Sequence, residues 1–274
     1  MPNEESRLAL LPTYLVLDTS ASMSPTYGGA FPEAFNFLKV LLVEMNKSAV
    51  VADKLRVEVI TFDEEANVVF PLGDRDQLRR WIEEKENNPI EPEGDWTRYS
   101  KAFAKIREEI ENGVQQIRAE VFNNGAQAEH YKTYRPVVFF ITDGAPNDFE
   151  DERVKEFNKL TNETFESRPN IICVGVGNAK LDDLKDYGAG KYKKDKYTVG
   201  NTNYVLVAKD GVMPAKALSS IIPALVASIV ASVNTGTDNT GSDDDPADSM
   251  IENLDDDYEE EISKFFEQFE QEEQ

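Results

Sequence analysis

Two runs of uninterrupted apolar residues organise the chain: Tyr14-Leu15-Val16-Leu17, and Val137-Val138-Phe139-Phe140-Ile141. Each is closed by an acid, Asp18 directly and Asp143 after Thr142. Short runs of this kind predict strands buried on both faces, as in a parallel sheet. Asn170–Gly175 and Tyr204–Ala208 have the same character. Between them the spacing changes to three and four. Phe35, Leu38, Leu42 and Met45 predict a helix over Phe31–Val51. Phe103, Ile106, Ile110, Val114 and Ile117 predict a long one over Thr97–Val121. Asp74–Glu84, Asp151–Phe165 and Ala215–Val233 complete the helices, with a short one near Lys180–Tyr187. Leu55–Phe62 alternates, with Leu55, Val57 and Val59 against Arg56 and Glu58. Asn67–Phe70 is its partner across an Asp63-Glu64-Glu65 turn. Asn87–Glu93 and residues 123–135 read as loops. The fold class is α/β: a mostly parallel central sheet with one antiparallel edge strand and helices on both faces.

Charge alters this picture mainly at one end. The 274 residues carry a formal charge of −23, and residues 236–274 alone hold 16 of the 52 acids with a single Lys. The remainder is an ordinary, mildly acidic body. Phosphate backbones demand clustered Lys and Arg, so a nucleic-acid surface is excluded as an expectation, and anionic membranes repel the tail. The uncharged, largely apolar run Ala217–Val233 is short for a membrane span and contains Pro223. One cysteine, Cys173, precludes a disulfide within the chain. The start, Met1-Pro2-Asn3-Glu4-Glu5, is acidic where a signal peptide is basic. A cytoplasmic location is the expectation.

The candidate chemistry sits at the ends of the two apolar strands. Asp18-Thr19-Ser20-Ala21-Ser22 follows the first, Asp143-Gly144-Ala145-Pro146-Asn147-Asp148 follows the second, and Thr97 opens the long helix. Ligands of open parallel sheets bind beyond the carboxyl ends of the strands. Two carboxylates and several hydroxyls there form an all-oxygen nest suited to a hard cation such as Mg²⁺. Neutral hydroxyls leave such an ion electron-poor and open to one more anionic oxygen.

These segments resemble the von Willebrand factor A domain and its metal-ion-dependent adhesion site. Asp18, Ser20 and Ser22 match the family's DxSxS motif, Thr97 with Ala102 its Thr segment, and Asp143 its Asp-Gly turn. The alignable stretch runs from about residue 12 to 234. Ala21 stands where Gly is common, and Trp96 where a small residue is usual. The resemblance implies a Rossmann-like domain over residues 1–234 and a metal held by Asp18, Ser20, Ser22, Thr97 and Asp143. The metal expected is Mg²⁺, with Mn²⁺ or Ca²⁺ as alternatives. The site would capture a partner's Glu or Asp, giving a non-enzymatic protein–protein interaction module. The string Asp143–Asp148 most resembles the bacterial tellurite-resistance TerY type. That likeness implies an adaptor in a stress-response system with a protein kinase and a phosphatase.

Two other readings compete. A haloacid-dehalogenase-type phosphatase also places an Asp after its first strand, but needs a second Asp two residues on as general acid. Ser20 stands there, and a hydroxyl cannot do that work at neutral pH. The other is an inert scaffold with a structural metal. The single histidine, His130, lies in a polar loop and builds no nucleophile system. Beyond the body, residues 235–250 read as a disordered acidic linker. Ile251, Leu254, Tyr258, Ile262, Phe265 and Phe269 predict an acidic amphipathic helix over 251–274, packed back or docked in a partner. Thr235 and Thr240 each precede an Asp by three residues, and when phosphorylated would resemble ligands of a forkhead-associated domain.

Overall fold

The computed structural model describes residues 8–123, 131–191, 196–208 and 213–235. The linker beyond Thr235, the segment 251–274, Thr240 and His130 lie outside the described residues.

The sheet is built outward from β1 (Leu8–Asp18). On one side of it lie β2 (Leu55–Phe62), parallel, and then β3 (Ala66–Gly73), antiparallel. A three-residue β4 (Tyr131–Thr133) pairs with the start of β1. On the other side come β5 (Val137–Thr142) and β6 (Asn170–Gly175), both parallel. Two-residue strands β7 (Ala189–Gly190) and β8 (Thr198–Val199) extend that side antiparallel, and β9 (Val205–Val207) pairs parallel with β6. The order β3-β2-β1-β5-β6 reverses direction at β1, so the crevice beyond the carboxyl ends of β1 and β5 is the switch point of the sheet.

Alternation along β1 divides the core in two. Leu11, Leu15 and Leu17 face α1 (Phe31–Lys47), α2 (Ala49–Lys54), α3 (Arg75–Asn87) and, later in the chain, α7 (Pro214–Thr235). Leu10, Tyr14 and Val16 face α4 (Tyr99–Asn123) and α5 (Glu150–Thr161). A one-turn α6 (Leu181–Leu184) follows β6 and buries Leu184 in the second cluster. No described helix is long and apolar enough to cross a membrane.

The sequence expectations differ from this structure at identifiable places. β1 starts at Leu8 rather than Tyr14 and runs through Pro12, because Leu11 already pairs with Leu55 of β2. The helix expected over 31–51 breaks at Ser48, whose side chain accepts from Val51 N and starts α2 afresh. The edge strand is not the sole antiparallel one, since β7 and β8 are also antiparallel. Two-residue strands leave no periodic signal. The short strand β4 falls at the end of the stretch 123–135 expected to be a loop.

The alternation in β2 does not mark a solvent face. All eight of its residues are buried, because α4 covers the side that carries Arg56 and Glu58. Arg56 is paired with Glu120 at 2.7 Å and donates to two backbone carbonyls. Glu58, 2% exposed, leaves one carboxyl oxygen without a partner. Burial, aggravated by nearby Glu109, pushes its pKa up to about 8. Glu58 is therefore protonated in the folded protein at neutral pH. The folded pKa lies above the unfolded one, so this contribution to stability is full below about pH 4.5 and drains away as pH rises through 8. Glu58→Gln should abolish that slope and stabilise the protein at pH 9 by on the order of 3 kcal/mol, read from urea unfolding across pH.

Candidate functional site

The five residues singled out in the sequence gather at the switch point. Asp18 closes β1 and is fully buried. Its Oδ1 accepts from Ser20 N at 2.8 Å, and its Oδ2 from the Thr142 hydroxyl at 2.6 Å. The chain then turns through Ala21–Met23 in a single 3-10 turn, which brings Ser22 back beside Ser20 with the two hydroxyls 3.1 Å apart. Ser22 Oγ donates to Asp143 Oδ1 at 2.8 Å. A hydrogen-bonded chain of oxygens thus joins the ends of β1 and β5. Asp18, Ser20, Thr97 and Asp143 are buried while Ser22 is exposed, so the cradle opens to solvent on one side.

Thr97 arrives differently from its expected place. It sits two residues before α4 rather than opening it. Its amide donates to Asn147 Oδ1 at 2.9 Å, and Asn147 N returns a bond to Thr97 O at 3.1 Å. Asp148 Oδ2 accepts from Ser100 N at 2.7 Å, meeting one of the unpaired amides at the start of α4. Asp148 is in turn held by Arg153. The Tyr99 hydroxyl, deep in the second core, donates to Gly144 O at 2.8 Å. These bonds clamp the loop after β5 to the first turn of α4. The hydroxyl of Thr97 makes no hydrogen bond to any described residue.

A third loop supports the first. Gly94 N donates to Thr19 O at 3.1 Å, and Ala21 N to Gly94 O at 2.8 Å, so Gly94 flanks Ser20 like a short added strand. A Cβ at position 94 would lie 2.3 Å from Asp63 Cβ, so only glycine lets the two loops approach this closely.

The electrostatics of the cradle are lopsided. Burial, with a smaller push from Asp143, raises the pKa of Asp18 to about 6, against hydrogen bonds from Thr142 and Ser20 that pull it down. Burial likewise raises Asp143, opposed by the Ser22 hydroxyl. Neither acid has an ion pair among the described residues, and no Lys or Arg contributes to either shift. Among the described residues no three His, Cys, Asp or Glu are grouped so as to hold a metal ion, so a cation here would rest on two carboxylates and neutral hydroxyls.

The family profile of the von Willebrand factor type A domain matches residues 14–205, more than half of the chain and the whole span that carries these loops. The chain belongs to this family. Among solved structures, this von Willebrand factor A chain is similar to proximal thread matrix protein 1 from the mussel byssus. The identity is 18% and the TM-score 0.55, over 81% of this chain and 48% of that one. A structure of the same byssus protein with a zinc-occupied MIDAS motif gives 17% identity and a TM-score of 0.55 over the same shares. The pilus adhesin SpaC from Lactobacillus rhamnosus GG, in its open conformation, gives 11% identity and a TM-score of 0.54 over 81% of this chain and 30% of that one. At such identities the likeness is one of fold. The chain spans about half the length of the byssus protein and less than a third of the adhesin. No curated protein matches the sequence.

Three residues that position this site were not singled out in the sequence: Thr142, Asn147 and Tyr99. A hydroxyl as the last residue of an otherwise apolar strand was a legible signal for Thr142. Asn147 and Tyr99 act across about 50 residues of chain and carry no local mark. Thr142→Val should raise the Asp18 pKa above its value of about 6, because it removes a bond to the ionised carboxylate. It should also cost ~1–3 kcal/mol by leaving a buried oxygen unpartnered. Carboxyl-carbon NMR titration and thermal unfolding without added metal check both effects.

Proposed function

We propose that this von Willebrand factor A chain is a metal-dependent protein–protein interaction module. Asp18, Ser20, Ser22, Thr97 and Asp143 hold a divalent cation, some through water, and the exposed side next to Ser22 is where a partner's Glu or Asp completes its shell. The observation that carries this reading is the pair of buried carboxyls, Asp18 and Asp143, joined through Ser20 and Ser22 with no basic group beside them among the described residues. Two buried acids without a counter-charge are costly, and a divalent ion removes that cost. All the donors are hard oxygens, which favours Mg²⁺, with Mn²⁺ or Ca²⁺ as substitutes. The zinc-occupied motif of the byssus protein supports a metal at this position of the fold.

The chain's own residues supply the positioning. Thr142 and Ser20 N hold the Asp18 carboxylate, Ser22 orients Asp143, and the Thr97–Asn147 clamp fixes the third loop. The bound cation supplies Lewis acidity toward one external oxygen. A phosphatase of haloacid-dehalogenase type is disfavoured because Ser20, at the acid's position, is committed to Ser22. The adaptor role beside a bacterial kinase and phosphatase, and recognition of phosphorylated Thr235 or Thr240 by a forkhead-associated domain, rest on the sequence resemblances alone. In that scheme the acidic segment 236–274 tethers a second contact and raises the effective concentration of the first.

Titration calorimetry of the full chain should show Mg²⁺ binding at pH 7.5 that weakens as pH falls through about 6, because the metal requires ionised Asp18. Asp18→Ala should lower Mg²⁺ affinity at least ~100-fold, the usual loss on removing a carboxylate ligand being larger than the ~10–100-fold of outer partners. The circular dichroism spectrum should stay unchanged. Partner capture from lysate should be lost both in this variant and on chelation. Unchanged capture in both cases would overturn the adhesion-site reading.

A further inference from the structure

The loops at the carboxyl edge of the sheet carry a second pattern that metal binding does not use. Among the described residues the exposed aromatic side chains are Tyr27 at 73%, Trp96 at 45% and Phe149 at 79%, and all three lie on this edge. Tyr27 ends the short turn in the loop that carries Ser22. Trp96 immediately precedes Thr97, and Phe149 lies two residues beyond its clamping partner Asn147. Aromatic side chains left in water around a polar centre are the usual anchors of a protein interface.

The flank toward β2 is acidic instead. Gly94 is bonded on both sides of Ser20, and its neighbours Glu93 and Asp95 are exposed, as is Glu91. None of these three has an ion pair among the described residues. Glu64 joins them by accepting from Asp95 N at 2.9 Å. Of the nearby cations, Lys101 is engaged by Glu65, and Arg98 lies over the Trp96 ring, 5.4 Å from its centroid, and offsets Glu64, which leaves Glu91, Glu93 and Asp95 to set the sign of the flank. Such a flank repels a wholly acidic ligand and attracts a cation. That argues against two occupants close at hand. The chain's own segment 251–274 holds 11 acids and one Lys, and a second copy would bring the same acidic flank.

We infer that this edge selects a protein partner whose docking segment places a carboxylate between a Lys or Arg and a bulky apolar residue. The carboxylate takes the Asp18–Asp143 site, the cation meets Glu93 and Asp95, and the apolar side chain packs on the Trp96 and Phe149 side. This rests on the proposed acid-capturing role of the site and adds what must flank the acid.

The probes are short fluorescein-labelled peptides with one central Glu flanked by Leu and Arg, used with the full chain in Mg²⁺. Control peptides put Asp for Arg, Ser for Leu, or Gln for Glu. Fluorescence polarisation should show each flanking change weakening binding about tenfold, and the Gln peptide should not bind. In Glu93→Lys combined with Asp95→Lys, the Asp-flanked peptide should bind better than the Arg-flanked one. In Phe149→Ala the Leu preference should vanish while the Arg preference stays. Mg²⁺ affinity by calorimetry should be unchanged in both variants. Equal binding of Arg- and Asp-flanked peptides, with loss of the Gln peptide alone, would overturn the flanking specificity and leave the acid-capturing role standing. Mg²⁺ binding without capture of any peptide would also overturn the inference, and absence of Mg²⁺ binding would overturn the underlying reading with it. Converting Glu259, Glu260 and Glu261 to Gln should leave all affinities unchanged. A uniform tenfold gain would place the chain's own tail on the edge and overturn the inference.

Discussion

Two carboxyl groups, Asp18 and Asp143, are buried at the ends of neighbouring strands with no positive charge beside them among the described residues, and most of the architecture around them answers that constraint. Strands β1 and β5 are in register through Leu17 and Ile141, so parallel pairing itself delivers Asp18 and Thr142 side by side and Asp143 one residue further on. The cost of removing two acids from water is met in part by donors: the Ser20 amide, the Thr142 hydroxyl and the Ser22 hydroxyl. It is met in part by holding protons longer, which is why both acids titrate above the ordinary range. Neither device removes the like-charge strain once both ionise, and a divalent cation is the simple complement.

The loops that surround the pair are rigid because each is tied to a different element. Gly94 knits the segment before α4 to the β1 loop, where any side chain would strike Asp63. Asn147 and Asp148 tie the β5 loop to the start of α4 through Thr97 and Ser100. Tyr99 reaches from the aromatic core, where it packs edge-on against Phe140, out to Gly144 O. Core packing and loop geometry are therefore mechanically continuous. A change at Phe140 would be felt at the cradle through Tyr99.

On the proposed reading, this edge has two layers with different physics. The centre is a small set of oxygens whose placement tolerates little error. The rim is a broader field of exposed aromatics and acids, and on the inferred reading its affinity would come from desolvated anchors and its selectivity from charge complementarity. Family membership speaks to the scaffold that holds the centre. The rim belongs to the particular residues of this chain, Trp96, Phe149, Glu93 and Asp95 among them.

Much of the frame was legible in the sequence. The apolar runs ending at Asp18 and Asp143 announced strands buried on both sides, and the three-and-four spacing of Phe103, Ile106 and Ile110 announced the helix that covers one face. Period and burial are local consequences of backbone geometry, so they survive in a single string of residues. The acids, the serines and Thr97 stood out because their types and their positions, after the strands or at the head of the long helix, are also local. Other features had no local signature. The alternation of Arg56 and Glu58 with apolar neighbours marked a strand but not that α4 buries both, because which side of a strand is covered depends on a helix about 50 residues away. The break at Ser48 and the two-residue strands β7 and β8 are set by neighbours rather than by pattern. The bonds of Thr142 to Asp18, Asn147 to Thr97 and Gly94 to Thr19 and Ala21 join residues distant in the chain, and only the assembled sheet decides those distances. The sequence by itself determined which groups stand at the strand ends. The tertiary structure decided that they meet, how deeply they are buried and which charges are absent around them, because burial and electrostatics are properties of the assembled neighbourhood rather than of any one segment.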